Sequence, residues 1–301
     1  MTGRILRIAG NDHEVLTSDG LLHCHFSGKA KRTRQSALKL AAVGDEVEVV
    51  PSGSGEGVIE KVLERRSKLS RHDVHRPTHE QVIVANVDVL LAVQSSRDPE
   101  WKPVIADQCT VMAAANALTC AIVVNKCDLG RPDLEPYKKA GYLVLQTSAR
   151  SGEGLEELGK LLKGRTSVLL GPSGVGKSSL LNALDPSFNL KIGEVGKSGE
   201  GRHTTSWAEL REVAGGWIAD TPGLEFFTLW GVTPGMLKDY FLDFAELASG
   251  CRWRNCSHLE EEACAVKGAV APSRYESYLV ILDRLVRQQS KLRKRDFGRR
   301  S

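Results

Sequence analysis

The chain has 301 residues, with 41 Lys and Arg against 37 Asp and Glu and a formal net charge of +4. Its 41% hydrophobic and 26% charged residues are an ordinary globular composition, which argues against a disordered, collagen-like or membrane-spanning chain. Two or three domains are expected at this length.

The apolar stretch Val82 to Val93 is broken by Asn86 and Asp88 and is too short to cross a bilayer. Arg4 and Arg7 stand where a signal peptide would need an unbroken apolar run. A cytoplasmic protein with no membrane partner is expected. Seven cysteines are too few for a disulfide scaffold. Cys24, Cys109, Cys120 and Cys127 are scattered and read as reduced, mostly buried thiols, whereas Cys251, Cys256 and Cys264 crowd around His258.

The first stretch reads as short strands: Arg4 to Ile8, Glu14 to Thr17, Leu21 to Phe26, Glu46 to Val50 and Gly57 to Val62, separated by Gly, Asp and Ser. Five such strands suit a small barrel of the OB type, and an SH3-like barrel would give the same pattern. Lys29, Lys31, Arg32, Arg34 and Lys39 fall in one inter-strand loop with no acidic residue among them, a footprint suited to an RNA backbone. A polar, basic connector follows from Arg65 to Glu80. Beyond it, buried-type strands (Val82 to Val84, Val89 to Val93, Ala121 to Val124, Leu143 to Gln146, Ser167 to Leu170) alternate with helical patterns (Pro103 to Leu118, Leu134 to Ala140, Leu155 to Leu162, Lys177 to Leu184). This alternation predicts a mainly parallel α/β sheet. From Gly231 the chain turns helical, and a final helix is expected from about Ser273. The domains expected are 1–70, 71–231 and 232–301.

Gly171-Pro172-Ser173-Gly174-Val175-Gly176-Lys177-Ser178, followed by Ser179, is a G-x-x-x-x-G-K-S loop between a strand and a helix. Its glycines let backbone N–H groups curl around phosphates; Lys177 would bridge the β- and γ-phosphates and the Ser178 hydroxyl would ligate Mg²⁺. Asn125-Lys126-Cys127-Asp128 follows a predicted strand. The Asp128 carboxylate is acceptor-only, so it pairs with guanine N1–H and the N2 amine, whereas adenine would leave it unpaired. Asn125 would hold the purine's other edge and neighbouring loops, the Lys126 stem would cover the base face, and Ser148-Ala149 would offer an N–H to guanine O6. An ATP-dependent P-loop enzyme is disfavoured by Asn125 and Asp128.

Asp220-Thr221-Pro222-Gly223 comes after a strand from Trp217 to Ala219. Asp220 could reach Mg²⁺ through a water, and the Gly223 N–H the γ-phosphate. Between the two lies the long segment Asp185 to Ser206, ending Gly201-Arg-His-Thr-Thr-Ser206, a switch-type loop in which Thr205, or else Thr204, would place a hydroxyl on Mg²⁺.

Cys251-x4-Cys256-x-His258-x5-Cys264 supplies three thiolates and one imidazole, a set that suits one tetrahedral, structural Zn²⁺ with no open position. The tail from Ser290 carries six basic residues against one acidic, and Arg65, Arg66, Lys68 and Arg71 form a further basic cluster, both suited to RNA contact.

These elements resemble those of Ras-like GTPases in rotated order: base recognition precedes the P-loop, the switch threonines and Asp220 to Gly223. With a barrel in front and a Cys-rich helical domain behind, nearly the whole chain resembles the RsgA (YjeQ) family on G-P-S-G-V-G-K-S-S, G-R-H-T-T-S, D-T-P-G and the Cys/His pattern. The resemblance implies an OB domain, a circularly permuted GTPase domain and a zinc domain. It also implies a role in late maturation of the small (30S) ribosomal subunit, with GTP, GDP and 16S rRNA as partners and hydrolysis stimulated by that particle. No coiled-coil pattern is present, and a monomer is expected. Leu224 occupies the place where Ras-type enzymes carry a water-orienting Gln, so slow intrinsic turnover is expected, with His203 the nearest replacement. The competing expectation is an RNA-binding assembly protein in which nucleotide only stabilises the fold.

Overall fold

The computed structural model describes residues 1–28, 41–73, 76–188, 209–220 and 229–297. The expected basic loop at Lys29 to Lys39 lies outside them, as do His203, Thr204, Thr205, Gly223, Leu224 and the last residues of the tail.

Strands β1 (Thr2–Ala9), β2 (Asp12–Thr17), β3 (Gly20–Phe26), β4 (Glu46–Gly53) and β5 (Glu56–Val62) pair in the order β1-β2-β3-β5-β4, and β4 closes on β1. The pairing of β3 with β5 is parallel and the rest are antiparallel. This Greek-key closure is the OB-type barrel, which settles the choice the strand pattern left open. Alternate residues point inward, so Ile5, Val15, Phe26, Val47, Val49 and Ile59 fill the barrel. Each such side chain removed from water contributes about 1.5–3 kcal/mol.

The stretch read as a connector contains a strand. β6 (Lys68–His72) pairs antiparallel with β7 (Glu80–Ala85) in a separate two-stranded sheet, so β7 does not join the parallel sheet expected of it. Only Leu69 among the β6 residues is apolar and buried, which is why β6 carries no hydrophobic alternation. The cations of this segment also have internal partners: Arg65 grips the buried Asp45 with two hydrogen bonds, Arg66 pairs with Asp88 and Lys68 with Glu80.

The central layer is built from β8 (Val89–Ser95), α1 (Pro103–Ala115), β9 (Thr119–Asn125), α2 (Glu135–Lys139), β10 (Leu143–Gln146), α3 (Leu155–Leu162), β11 (Thr166–Leu170), α4 (Lys177–Leu184), β12 (Glu209–Val213) and β13 (Gly216–Asp220). The order is β10-β9-β8-β11-β13-β12, parallel throughout except for β12. β8 and β11 are buried along their whole length, as strands covered on both faces must be. One core face holds Leu90, Ile122, Val124 and Val168; the other holds Leu91, Val123, Leu158 and Leu181.

The barrel and this layer share a ladder, because β1 also meets β12 through Arg7 and Glu209. Arg4 donates to Thr166 Oγ1 and lies over the Trp217 ring, while Asn86 donates to Gly44 O at 2.9 Å and accepts from Arg66 N. Gly44 is required there: its φ is +88° and a Cβ would sit 2.2 Å from Ala85 O.

After a 3₁₀ turn (Pro234–Tyr240) and α5 (Leu242–Ala248), the long α6 (Pro272–Phe297) packs back on α1. Phe241, Phe244 and Tyr278 stack together at that seam. Arg274, fully buried, donates to Asp107 of α1 and Asp243 of α5. Among the described residues no helix is long and apolar enough to cross a membrane.

Candidate functional site

Parallel strands end on the same edge of a sheet, so their C-terminal loops converge there, above the point where the strand order reverses. Here β9 ends at Asn125, β10 at Gln146, β11 at Leu170 and β13 at Asp220. The strand order reverses between β8 and β11, since the chain runs outward from β8 to β10 and then returns to β11. The base-type loops after β9 and β10 and the phosphate-type loop after β11 therefore arrive at one crevice, and β13 ends on the same edge.

Hydrogen bonds fasten these loops together. Asn125 Nδ2 donates to Val175 O at 2.9 Å and Gly176 O at 3.4 Å, and its Oδ1 accepts from Ala149 N at 3.2 Å. Lys126, held at φ 60°, donates from Nζ to Gly174 O at 2.7 Å and to Asp98 O. The exposed Asp128 accepts from Ser148 Oγ at 2.7 Å, and Cys127 N donates to Thr147 O at 3.0 Å. The base-type loop and the phosphate-type loop thus share one wall. Gly176 (φ +90°) has no room for a Cβ, which would lie 2.3 Å from Asn125 Nδ2.

The G-x-x-x-x-G-K-S segment runs from β11 into α4 with Ser173 and Gly174 exposed at its tip. Lys177 Nζ donates to Gly171 O and Pro172 O, both at 2.8 Å, so its ammonium lies inside the loop. Ser178 and Ser179 sit in the first turn of α4, where free N–H groups favour an anion. Two members face inward instead. Val175 packs in the core, and the Cys127 thiol donates to Val124 O at 3.1 Å. Desolvation pushes that thiol's pKa up, so only the backbone of Cys127 is available to a ligand. Asp220 closes β13 at the same edge.

Cys251, Cys256, His258 and Cys264 form a second site, with ligand atoms all within 4.8 Å of one another. His258 Nδ1 lies 3.7 Å from Cys251 Sγ and 3.4 Å from Cys264 Sγ. Ligands about 2.3 Å (S) and 2.0–2.1 Å (N) from a tetrahedral centre stand about 3.6 Å apart, so the spacing fits zinc. Desolvation, then the neighbouring Lys238 charge, lowers the His258 pKa and favours the neutral ring a metal needs. Ala265 N and Lys267 N donate to Cys251 Sγ and Cys264 Sγ, both at 3.3 Å, as expected around thiolates. The four residues can hold one metal ion.

Sequence reasoning missed the loop after β8, where Ser96 and Asp98 bond the base-type loop. It also missed Arg274, which no local pattern distinguishes from a solvent-facing helix arginine.

A model of the RsgA GTPase family matches residues 62–230. The small ribosomal subunit biogenesis GTPase RsgA of Gemmatimonas aurantiaca is 40% identical over 300 residues, covering 95% of this chain and 97% of that protein. Its namesake from Chlorobaculum tepidum is 39% identical over 305 residues, covering 95% and 98%. Among solved structures, YjeQ from Thermotoga maritima superposes with a TM-score of 0.72 at 36% identity, covering 95% of this chain and 98% of its own. YloQ, described as a circularly permuted GTPase, gives 0.73 at 28% identity, covering 95% of both chains. A barrel, a permuted nucleotide crevice and a Cys₃His cluster on one chain, with this degree of likeness end to end, place the protein in the RsgA GTPase family.

Proposed function

We propose that this GTPase acts in late maturation of the small ribosomal subunit, turning over slowly alone and faster on that particle, with nucleotide state gating attachment and release. The relatives' names support the pathway. The observation that carries the nucleotide chemistry is Asn125, whose side chain ties Val175, Gly176 and Ala149 together so that Asp128 and the P-loop face one crevice. In this reading Asp128 selects guanine, Ser148 holds its carboxylate, Ala149 offers an N–H to O6, and the Lys126 stem covers the base. The P-loop amides and Lys177 bind the polyphosphate. Ser178 and Thr205 would ligate Mg²⁺, with Asp220 behind a water; bound there, the ion neutralises charge on the phosphoryl oxygens. Gly223 contacts the γ-phosphate. His203 orients the attacking water, because Leu224 cannot. The Cys₃His set holds a structural zinc.

Further parts of the proposal are contact with 16S rRNA through the basic barrel loop and tail, a monomeric state, a cytoplasmic location and domain limits near residues 70 and 231. The deciding measurement is GTP turnover with and without purified small subunits, with large subunits as the control. Stimulation by small subunits alone is expected, and equal rates in all three mixtures would end the proposal. A Lys177→Ala chain that still supports subunit maturation would instead make nucleotide a structural ligand.

A further inference from the structure

The loop after β8 contains none of the motif residues, yet several hydrogen bonds brace it against the crevice edge. At its base the Gln94 amide clasps the Lys102 backbone in both directions, Nε2 to Lys102 O and Lys102 N to Oε1, each at 3.1 Å. Inside it, the buried Ser95 donates from Oγ to Pro99 O at 2.6 Å. Toward the base-type loop, Ser96, 7% exposed, donates from N to Asn125 O at 2.9 Å and from Oγ to Lys126 O. Asp98 O then accepts from Lys126 Nζ, which also reaches Gly174 O of the P-loop.

We propose that Ser96 is a positioning residue for guanine-nucleotide binding: its two hydrogen bonds fix the Asn125–Lys126 peptides in the conformation that presents Asp128 to the base. This rests on the nucleotide crevice described under the proposed function. The physical need is local. Lys126 is a non-glycine residue in the left-handed region, φ 60° and ψ 36°, a conformation that costs about 1–2 kcal/mol and persists only where neighbours hold it. Ser96 bonds the carbonyls on both sides of the Lys126 Cα, and Asp98 O receives the end of the same side chain. Lys126 O also accepts from Leu129 N at 2.9 Å, so loss of the Ser96 hydroxyl leaves it with one donor of two and loosens the peptide's orientation. Asn125 and Asp128 then lose their common frame. Ser96 acts through these residues, and its effect falls on binding rather than on the chemical step.

The test is GDP affinity of the full chain, measured by titration with a fluorescent guanine nucleotide, together with the KM and kcat for GTP. Ser96→Ala is expected to weaken GDP binding and raise KM by about tenfold, the loss of one well-placed hydrogen bond, with kcat at saturation within about twofold. Ser96→Thr, which keeps the hydroxyl, is expected to recover most of the affinity. Ser95→Ala, which loosens the same loop without touching Lys126, gives a second, independently folding protein with a smaller loss in the same direction. GDP affinities within twofold of the parent in both alanine variants would overturn the inference, even if their melting temperatures fell, since that result describes a merely structural loop. The parent separates the two readings: if it fails to bind GDP, the crevice itself is misassigned, whereas normal parent binding with unaffected variants removes only the role of Ser96.

Discussion

In the proposed reading, the choice of base at Asp128 reduces to counting donors and acceptors. An ionised carboxylate can only accept, and guanine presents two donors along one edge. Asp128→Asn replaces one acceptor with an N–H₂ group, which meets guanine's N2 amine donor to donor but suits the C2 carbonyl of xanthine. The expected result is a fall of about a hundredfold in kcat/KM for GTP, with xanthosine triphosphate becoming the better substrate in direct competition. Equal preference before and after the change would show that the carboxylate does not read the base. Gly176→Ala is expected to fail differently. Its Cβ would meet Asn125 Nδ2 and its φ of +90° disfavours any side chain, so affinity for all nucleotides, adenine and guanine alike, should drop by tenfold or more with little change in their ratio. Equilibrium binding to a panel of diphosphates reads both effects.

At the scale of elements, α6 is tied to α1 and α5 by Arg274, fully buried under the rings of Tyr137, Tyr142 and Phe241. Arg274→Met keeps much of the volume but removes the cation paired with Asp107, also fully buried. Breaking such a pair costs about 3–5 kcal/mol, which a denaturant midpoint will register. The Asp107 carboxyl is itself pushed up to about 6 from 3.8, chiefly by desolvation, with Arg274 pulling the other way. A carboxyl whose folded pKa lies above its unfolded one takes up protons on folding. Its contribution is therefore largest below about pH 4, declines as pH rises to about 6, and is level beyond. Asp107→Asn is expected to flatten that window in a stability–pH profile.

Elements differ in how openly the sequence declares them. The P-loop, Asn125 to Asp128 and the Cys/His set are local: their chemistry is fixed by spacing within a few residues, and their strand and helix contexts, such as Lys177 to Leu184, can be read with them. β6 and β12 were illegible because Lys-Leu-Ser-Arg-His and Glu-Leu-Arg-Glu-Val carry more charge than apolar alternation; β12 gains its place from pairing with β13 and β1. Long-range partners such as Asp107 with Arg274, or Ser96 with Lys126, leave no periodic trace at all. They exist only once the fold has brought distant segments into contact.

Across the whole molecule the proposed zinc site is the feature whose removal is expected to reach furthest into the C-terminal region. The segment from Cys251 to Cys264 has no helix or strand, and its sulfur and imidazole groups cluster where a larger domain would place apolar core. About one zinc ion per chain is expected by metal analysis of the purified protein. Cys256→Ser should lose the ion and lower the melting temperature, because binding free energy in such sites is folding free energy. A full zinc complement in that variant would mean that the cluster is not the site.

The ladder contact of β1 with β12 has a practical meaning for anyone dividing the chain. Strand β12 lies at the margin of the catalytic layer, and the barrel's first strand meets its outer edge at the pair Arg7 and Glu209. Cutting away the first sixty residues would take away that contact, leave the outer edge of β12 with no strand beside it, and strip Val43 from the neighbouring core. Such a fragment invites end-to-end association of its copies rather than behaving as a smaller enzyme.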